Sequence, residues 1–180
     1  VVGSEMPHAW PQAALQAQAV AARTYALKQR SRGGGWDVKA TVANQVYSGV
    51  ETETDSTRQA VATTRSLVLV HGGKLIDAVF HSSSGGVTEA SGMVWRHQLP
   101  YLVSVPDHDQ HSPVHRWQER FDPMLLRRTW PETGGLDGVE VISRSRSGRV
   151  RQARVSGPRG TLMLTGAELR RRLGLKSTLV

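Results

Sequence analysis

The 180-residue chain contains no cysteine. That absence excludes a disulfide framework and any thiolate-held metal, and it leaves the compartment open, because an exported protein can do without disulfides. No apolar run approaches the roughly 20 residues of a membrane-spanning helix. Aromatics are few, with two Phe and three Tyr beside five Trp. They are not interleaved with basic residues as a stacking platform for nucleic acid would be, so no nucleic-acid partner is expected. Acidic residues are in deficit: 15 Asp and Glu against 23 Lys and Arg give a formal net charge of +8 and a pI near 10.8. The arginines concentrate in the second half, around 144–159 and 170–172. Such an excess fits an anionic partner, such as a cell-wall polymer, and equally a solvated basic surface; charge alone does not choose.

What is present is enough chain for one domain with a real core. It starts at Val1 and ends at Leu179-Val180, and reads as an excised domain, 1–180, truncated at both ends. The missing signal peptide therefore carries no weight on location. Pro11 followed by Gln12-Ala13-Ala14-Leu15 reads as a helix start. From there to about Arg30 there is no glycine or proline, and alanine dominates. At 100° per residue, Gln12, Gln16 and Arg23 fall on one stripe, beside Leu15, Ala19, Ala22 and Ala26. An arginine in so apolar a helix makes a buried pair or lines a cleft.

Residues 31–35 read as a Gly-rich link, and 36–49 as irregular, with Gln45-Val46-Tyr47 its most strand-like part. A second helix is expected over 54–65, capped by Thr54, Asp55 or Ser56. A hairpin is expected from 67–70 and 75–80 around His71-Gly72-Gly73-Lys74. It runs into a polar loop, 81–89, at a strand end where binding groups commonly sit. Further on, 99–105 reads as extended, 122–130 as a helix, 139–145 with 150–155 as a hairpin, and 161–164 as a strand. A capping box at Thr165 to Glu168 opens a short helix ending at Gly174. The elements add up to an α+β fold: a long Ala-rich helix packed on a mostly antiparallel sheet of hairpins, with short accessory helices.

Several patterns tempt a chemical reading. His108, His111 and His115 with Asp107 and Asp109 resemble metal-ligand material, but the spacing fits no zinc pattern and the stretch reads as a solvated loop. Ser82, Ser83 and Ser84 lack the G-x-S-x-G elbow of a serine hydrolase. Gly85-Gly86 is not followed by lysine in P-loop register. Glu5 sits among Val1, Val2, Met6 and Trp10. Desolvation there would suit a carboxylate to act as an acid, while the helix behind it would favour the ionised form. On residues alone, a helix-capping glutamate is the simpler reading.

The ordered set of motifs says more. Glu5-Met6-Pro7, Trp10-Pro11 and Ala17-Gln18-Ala19-Val20-Ala21-Ala22-Arg23-Thr24-Tyr25-Ala26 come first. Asn44-Gln45-Val46-Tyr47-Ser48-Gly49 and His81-Ser82-Ser83-Ser84-Gly85-Gly86 with Thr88-Glu89 follow. Val94-Trp95, Pro100-Tyr101-Leu102 and Leu173-Gly174-Leu175 with Ser177-Thr178 complete the set. Together they closely resemble the SpoIID/LytB family over essentially the whole chain.

The resemblance implies a peptidoglycan lytic transglycosylase, with Glu5 at the position of the catalytic glutamate. It implies glycan contacts from Arg23, Gln16, Tyr25 and the loop residues His81, Ser82, Ser83 and Thr88. The family's other role, as amidase enhancer, implies a non-catalytic wall-binding module. Expected partners are peptidoglycan glycan strands and other cell-wall hydrolases or amidases, in an extracytoplasmic, envelope or secreted setting. Gln16 stands where the sporulation enzyme has lysine. That enzyme resembles a zinc binder, but its cysteine and histidine are unmatched in Lys39-Ala40-Thr41-Val42-Ala43-Asn44. No metal or other cofactor is therefore expected. The family usually continues to a Gly-His-Gly-x-Gly-Met-Ser-Gln motif beyond the point where this chain stops.

Overall fold

Pro11 caps a helix whose first residues need no proline N–H, and the uninterrupted alanine-rich run carries it from Gln12–Gln29 (α2). The computed structural model describes residues 1–30, 38 and 45–180; the expected Gly-rich link at 31–35 and the segment 39–44 lie outside them. The chain divides into two compact units, Val1–His81 and Ser82–Val180, with the division inside the 81–89 loop. The class is α+β, as the sequence patterns indicate.

In the first unit, α1 (Val2–Glu5) leads into α2, followed by a 3-10 turn, Val50–Thr52, and α3 (Asp55–Thr63). Thr54 caps α3 in a reciprocal box with Thr57. Val2, Leu15, Ala19 and Ala60 form the core, with Met6 against it. The small residues on α2 and α3 let the two helices approach closely, and α3 is the main neighbour of α2 within this unit. Thr24 is fully buried and serves two elements. Its hydroxyl donates to the Val20 carbonyl at 2.7 Å and accepts from the Leu69 N–H at 2.9 Å.

The hairpin expected over 67–80 is much shorter. Only β1 (Val70–His71) and β2 (Lys74–Leu75) pair, around Gly72 and Gly73, both at positive φ. Leu69 instead gives its N–H to Thr24, and the Leu67 carbonyl is taken by Arg23. The Leu69 N–H is thereby lost to a longer ladder, and beyond the two short strands the hairpin adds the Ile76 N–H to Leu69 carbonyl bond at 3.2 Å.

The second unit is built on an antiparallel sheet ordered β3-β4-β5: Gly138–Arg144, Val150–Gly157 and Gly160–Thr165. Period-two alternation on β4 from Gln152 buries Ala153 and Val155 and turns Gln152 and Arg154 outward; Val150 is buried too, beyond a register irregularity that skips Ile142 on β3 and Arg151 on β4. These residues join Trp130, Leu164 and Leu169 in one core. Helix α6 (Gly166–Leu173) packs on the sheet, opened by the Thr165–Glu168 capping box and closed by Gly174 in the left-handed region. Gly166 is required by close approach, since a Cβ there would collide with the Val150 carbonyl. Two short helices, α4 (Ser91–Val94) and α5 (Pro123–Thr129), complete the unit; Asp122 caps α5.

Candidate functional site

Glu5 closes α1 and is half-buried. Its Oε1 accepts the Val46 backbone N–H at 2.7 Å; Oε2 has no hydrogen bond among the described residues. The segment 45–48 is held beside it by two further bonds. Gln45 Nε2 donates to the Ala22 carbonyl on α2 at 2.8 Å, and the Ser48 N–H donates to Ser4 Oγ at 3.2 Å. One carboxylate oxygen is thus fixed by main chain, and the other makes no hydrogen bond among the described residues. Gln18, one turn before Ala22 on α2, is buried, and its amide nitrogen has no hydrogen bond among the described residues.

The polar stripe of α2 faces α3. Gln12 Nε2 donates to the Ser56 carbonyl at 3.2 Å, and Gln16 Nε2 to Thr63 Oγ1 at 3.0 Å. The Arg23 guanidinium donates to the carbonyls of Thr64 at 2.8 Å and Leu67 at 2.9 Å, and reaches that of Val61 at 3.4 Å. It thereby ties together carbonyls at and just beyond the C-terminal end of α3, where a positive charge is also favoured by the helix dipole. Tyr25 is half-buried, and His81 is exposed at the end of the first unit.

Ser82, Ser83 and Thr88 belong to the second unit. The Ser-Ser-Ser-Gly-Gly stretch wraps around Asp109. The Ser83 hydroxyl and the N–H groups of Ser84, Gly85 and Gly86, at 2.8–2.9 Å, all donate to that carboxylate. His115 Nδ1 lies 3.0 Å from its other face. Ser84 Oγ donates to Asp107 at 2.6 Å. The Asp109 carboxyl is held well below the ordinary range. The Ser83 hydroxyl is the main cause; the Gly85 N–H, His115 and the Ser84 N–H add to it against an opposing desolvation. Gly85 and Gly86 both sit at positive φ, which lets consecutive N–H groups converge on one anion. Thr88 is bound into main chain, its hydroxyl accepting the Val105 N–H at 2.9 Å. Ser82 to Gly85, His115 and Trp117 wall a cavity of about 950 Å³.

The 106–113 stretch, read from sequence as a solvated loop, therefore contains a carboxylate only 8% exposed. The signal for it was present as Asp107-His108-Asp109, but its partners stand more than 20 residues earlier. Among the described residues, no group of three or more His, Asp or Glu could hold a metal ion; the segment 39–44, which has neither cysteine nor histidine, lies outside them. No helix among the described residues is long and apolar enough to cross a membrane.

A family model described as "Stage II sporulation protein" (SpoIID) matches residues 1–71, the region that carries Glu5 and Arg23. The "Amidase enhancer" of Bacillus subtilis (strain 168) is 37% identical over 153 residues, covering 82% of this chain and 21% of that protein. "Stage II sporulation protein D" of Bacillus amyloliquefaciens is 33% identical over 198 residues, covering 98% of this chain and 56% of that protein. The Bacillus subtilis (strain 168) protein of the same name is 30% identical with the same coverage. The chain thus spans about half, or less, of the length of these relatives.

Proposed function

The chain belongs to the SpoIID/LytB family, and from that placement we propose that it is a peptidoglycan lytic transglycosylase with Glu5 as its acid and base. The family's function is cell-wall related, and the setting for this activity is extracytoplasmic. The reaction cuts the β-1,4 bond between N-acetylmuramic acid and N-acetylglucosamine. Glu5 protonates the leaving oxygen as the glycosidic bond breaks. The muramic C6 hydroxyl then attacks the anomeric carbon, and the Glu5 carboxylate takes its proton, closing a 1,6-anhydro ring. Glycosidases that use water generally need two carboxylates; here the nucleophile comes from the substrate, so one suffices. The observation that carries this reading is the Glu5 carboxylate itself, anchored through Oε1 to the Val46 N–H with Oε2 unengaged among the described residues. In the first unit, glycan contacts are assigned to Tyr25 and His81; in the second, Ser82, Ser83 and Thr88 are assigned as glycan contacts of that unit by itself. Gln16 and Arg23 act here mainly by fixing α2 to α3 behind the carboxylate. No cofactor is needed by this chemistry.

The similarity to an amidase enhancer favours a second reading, a non-catalytic wall-binding module that acts beside an amidase. Incubation with purified glycan strands separates the two. Release of anhydro-muropeptides, seen by mass, supports catalysis. Sedimentation with sacculi and stimulation of an added amidase, without such products, supports the module.

A further inference from the structure

A second cleft of about 950 Å³ lies in the second unit, between the start of β4, α6 and the segment after it. Its lining carries Arg149, Arg151, Arg170, Arg171 and Lys176 against a single carboxylate, Glu89. That carboxylate is engaged already. It accepts Ser145 Oγ at 2.5 Å, Ser147 Oγ at 2.8 Å and the Ala90 N–H at 3.0 Å. Desolvation pushes the Glu89 carboxyl up, but these bonds and the nearby Arg149 charge outweigh it, and it stays ionised and lowered.

Two of the cations are also committed. Arg149 donates to the carbonyls of Val87 and Ser84 and to Ser147 Oγ, and Lys176 pairs with Glu119 at 2.8 Å. Arg170 gives only its Nε to the Leu175 carbonyl. Arg151 and Arg171 make no hydrogen bond among the described residues, and all three are exposed. The next arginine, Arg172, shows the contrast: it forks onto Glu132 at 2.8 and 3.1 Å and lies 4.9 Å over the Trp130 ring. The arginines of α6 are thus divided between a structural pair and an open cationic cleft.

We infer that this cleft binds a phosphodiester-linked polymer with a saturated repeat, of the polyol-phosphate kind found in cell walls. Three guanidiniums from two elements, with Glu89 the one carboxylate of the lining and Glu168, near Arg171, tied into the α6 capping box, match a chain bearing one fixed negative charge per repeat and oxygens that accept two N–H bonds at once. The lining holds no aromatic ring, so stacked bases of a nucleic acid find no platform. β4 is the central strand, paired on both sides, and the edge strand β5 reaches the lining only through its last residue, Thr165, so an acidic peptide finds no length of open sheet edge in the cleft to join. The inference goes beyond glycan cleavage and does not require Glu5 to be catalytic.

The test measures binding of the full chain to a glycerol-phosphate polymer of defined length, with polyglutamate and oligothymidylate of matched charge as competitors. Three variants accompany it: R151Q/R170Q/R171Q, the pair R151Q/R171Q, which disturbs no hydrogen bond among the described residues, and R65Q/R120Q/R128Q, which removes the same charge outside the cleft. The expected result is a tenfold or greater loss in the triple cleft variant, a smaller loss in the pair, and less than threefold change in the outside variant. Added salt should weaken the parent more steeply than the cleft variants, because fewer counterions are released in the latter. Equal loss in the cleft and outside triples, no loss in the cleft variants, or equal or tighter binding of either competitor polymer would overturn the inference.

Discussion

Asp109 governs its loop through bonds that sequence proximity could not announce. The Ser-Ser-Ser-Gly-Gly run that holds it stands 26 residues before it at Ser83. A carboxylate whose folded pKa is depressed contributes stability above its unfolded pKa and loses it as pH falls through the folded value. The contribution is therefore whole above about pH 5 and declines steadily in more acidic solution. Asp109→Asn removes that dependence. Thermal melts of the parent should fall more steeply between about pH 5 and pH 2 than those of the variant; parallel profiles would show that the nest does not favour the ionised form. Arg23 poses a related question. Its carbonyl partners on and after α3 stand 38 to 44 residues away, so helix phase could place it on a stripe but not name what the stripe meets. Arg23→Gln should cost about 1–3 kcal/mol in denaturant unfolding, with partial recovery in Arg23→Lys. A variant as stable as the parent but poor in turnover would return Arg23 to the substrate.

Elements with local signals were legible in the sequence: the capping box at Thr165, the start of α3 at one of Thr54, Asp55 or Ser56, the alanine-rich α2, the Gly-split β3–β4 hairpin. Each is specified by residues within one or two turns of itself. The 67–80 hairpin was not, because Thr24 and Arg23 on α2 claim main-chain groups that pattern alone assigns to a ladder. Gly166 makes the same point in reverse. In a helix, Gly→Ala is ordinarily stabilising by about 1 kcal/mol. At Gly166 the added methyl meets the Val150 carbonyl, so Gly166→Ala should destabilise the protein by about 1–3 kcal/mol. Chemical denaturation decides the sign.

At the scale of the molecule, the features divide between two units: Glu5 and the α2–α3 pair in the first, the Asp109-centred loop and the arginine cleft in the second. The overall excess of positive charge was plain from composition, yet only the structure separates arginines that hold α6 to Trp130 and Glu132 from those that face a cleft. Glu5 itself was an ordinary capping acid until its neighbours in sequence were read as a family pattern. Its bond to Val46 supplies a geometry consistent with the role that pattern implies. The central claim is that one carboxylate cuts glycan without water. It is tested most directly by digesting purified glycan strands with the parent and with Glu5→Gln, and counting 1,6-anhydro ends by mass. The account predicts anhydro products from the parent and a loss of at least about 10²-fold in the variant, which should melt as the parent does. Equal yields from both, or no anhydro ends from a folded parent, would contradict it.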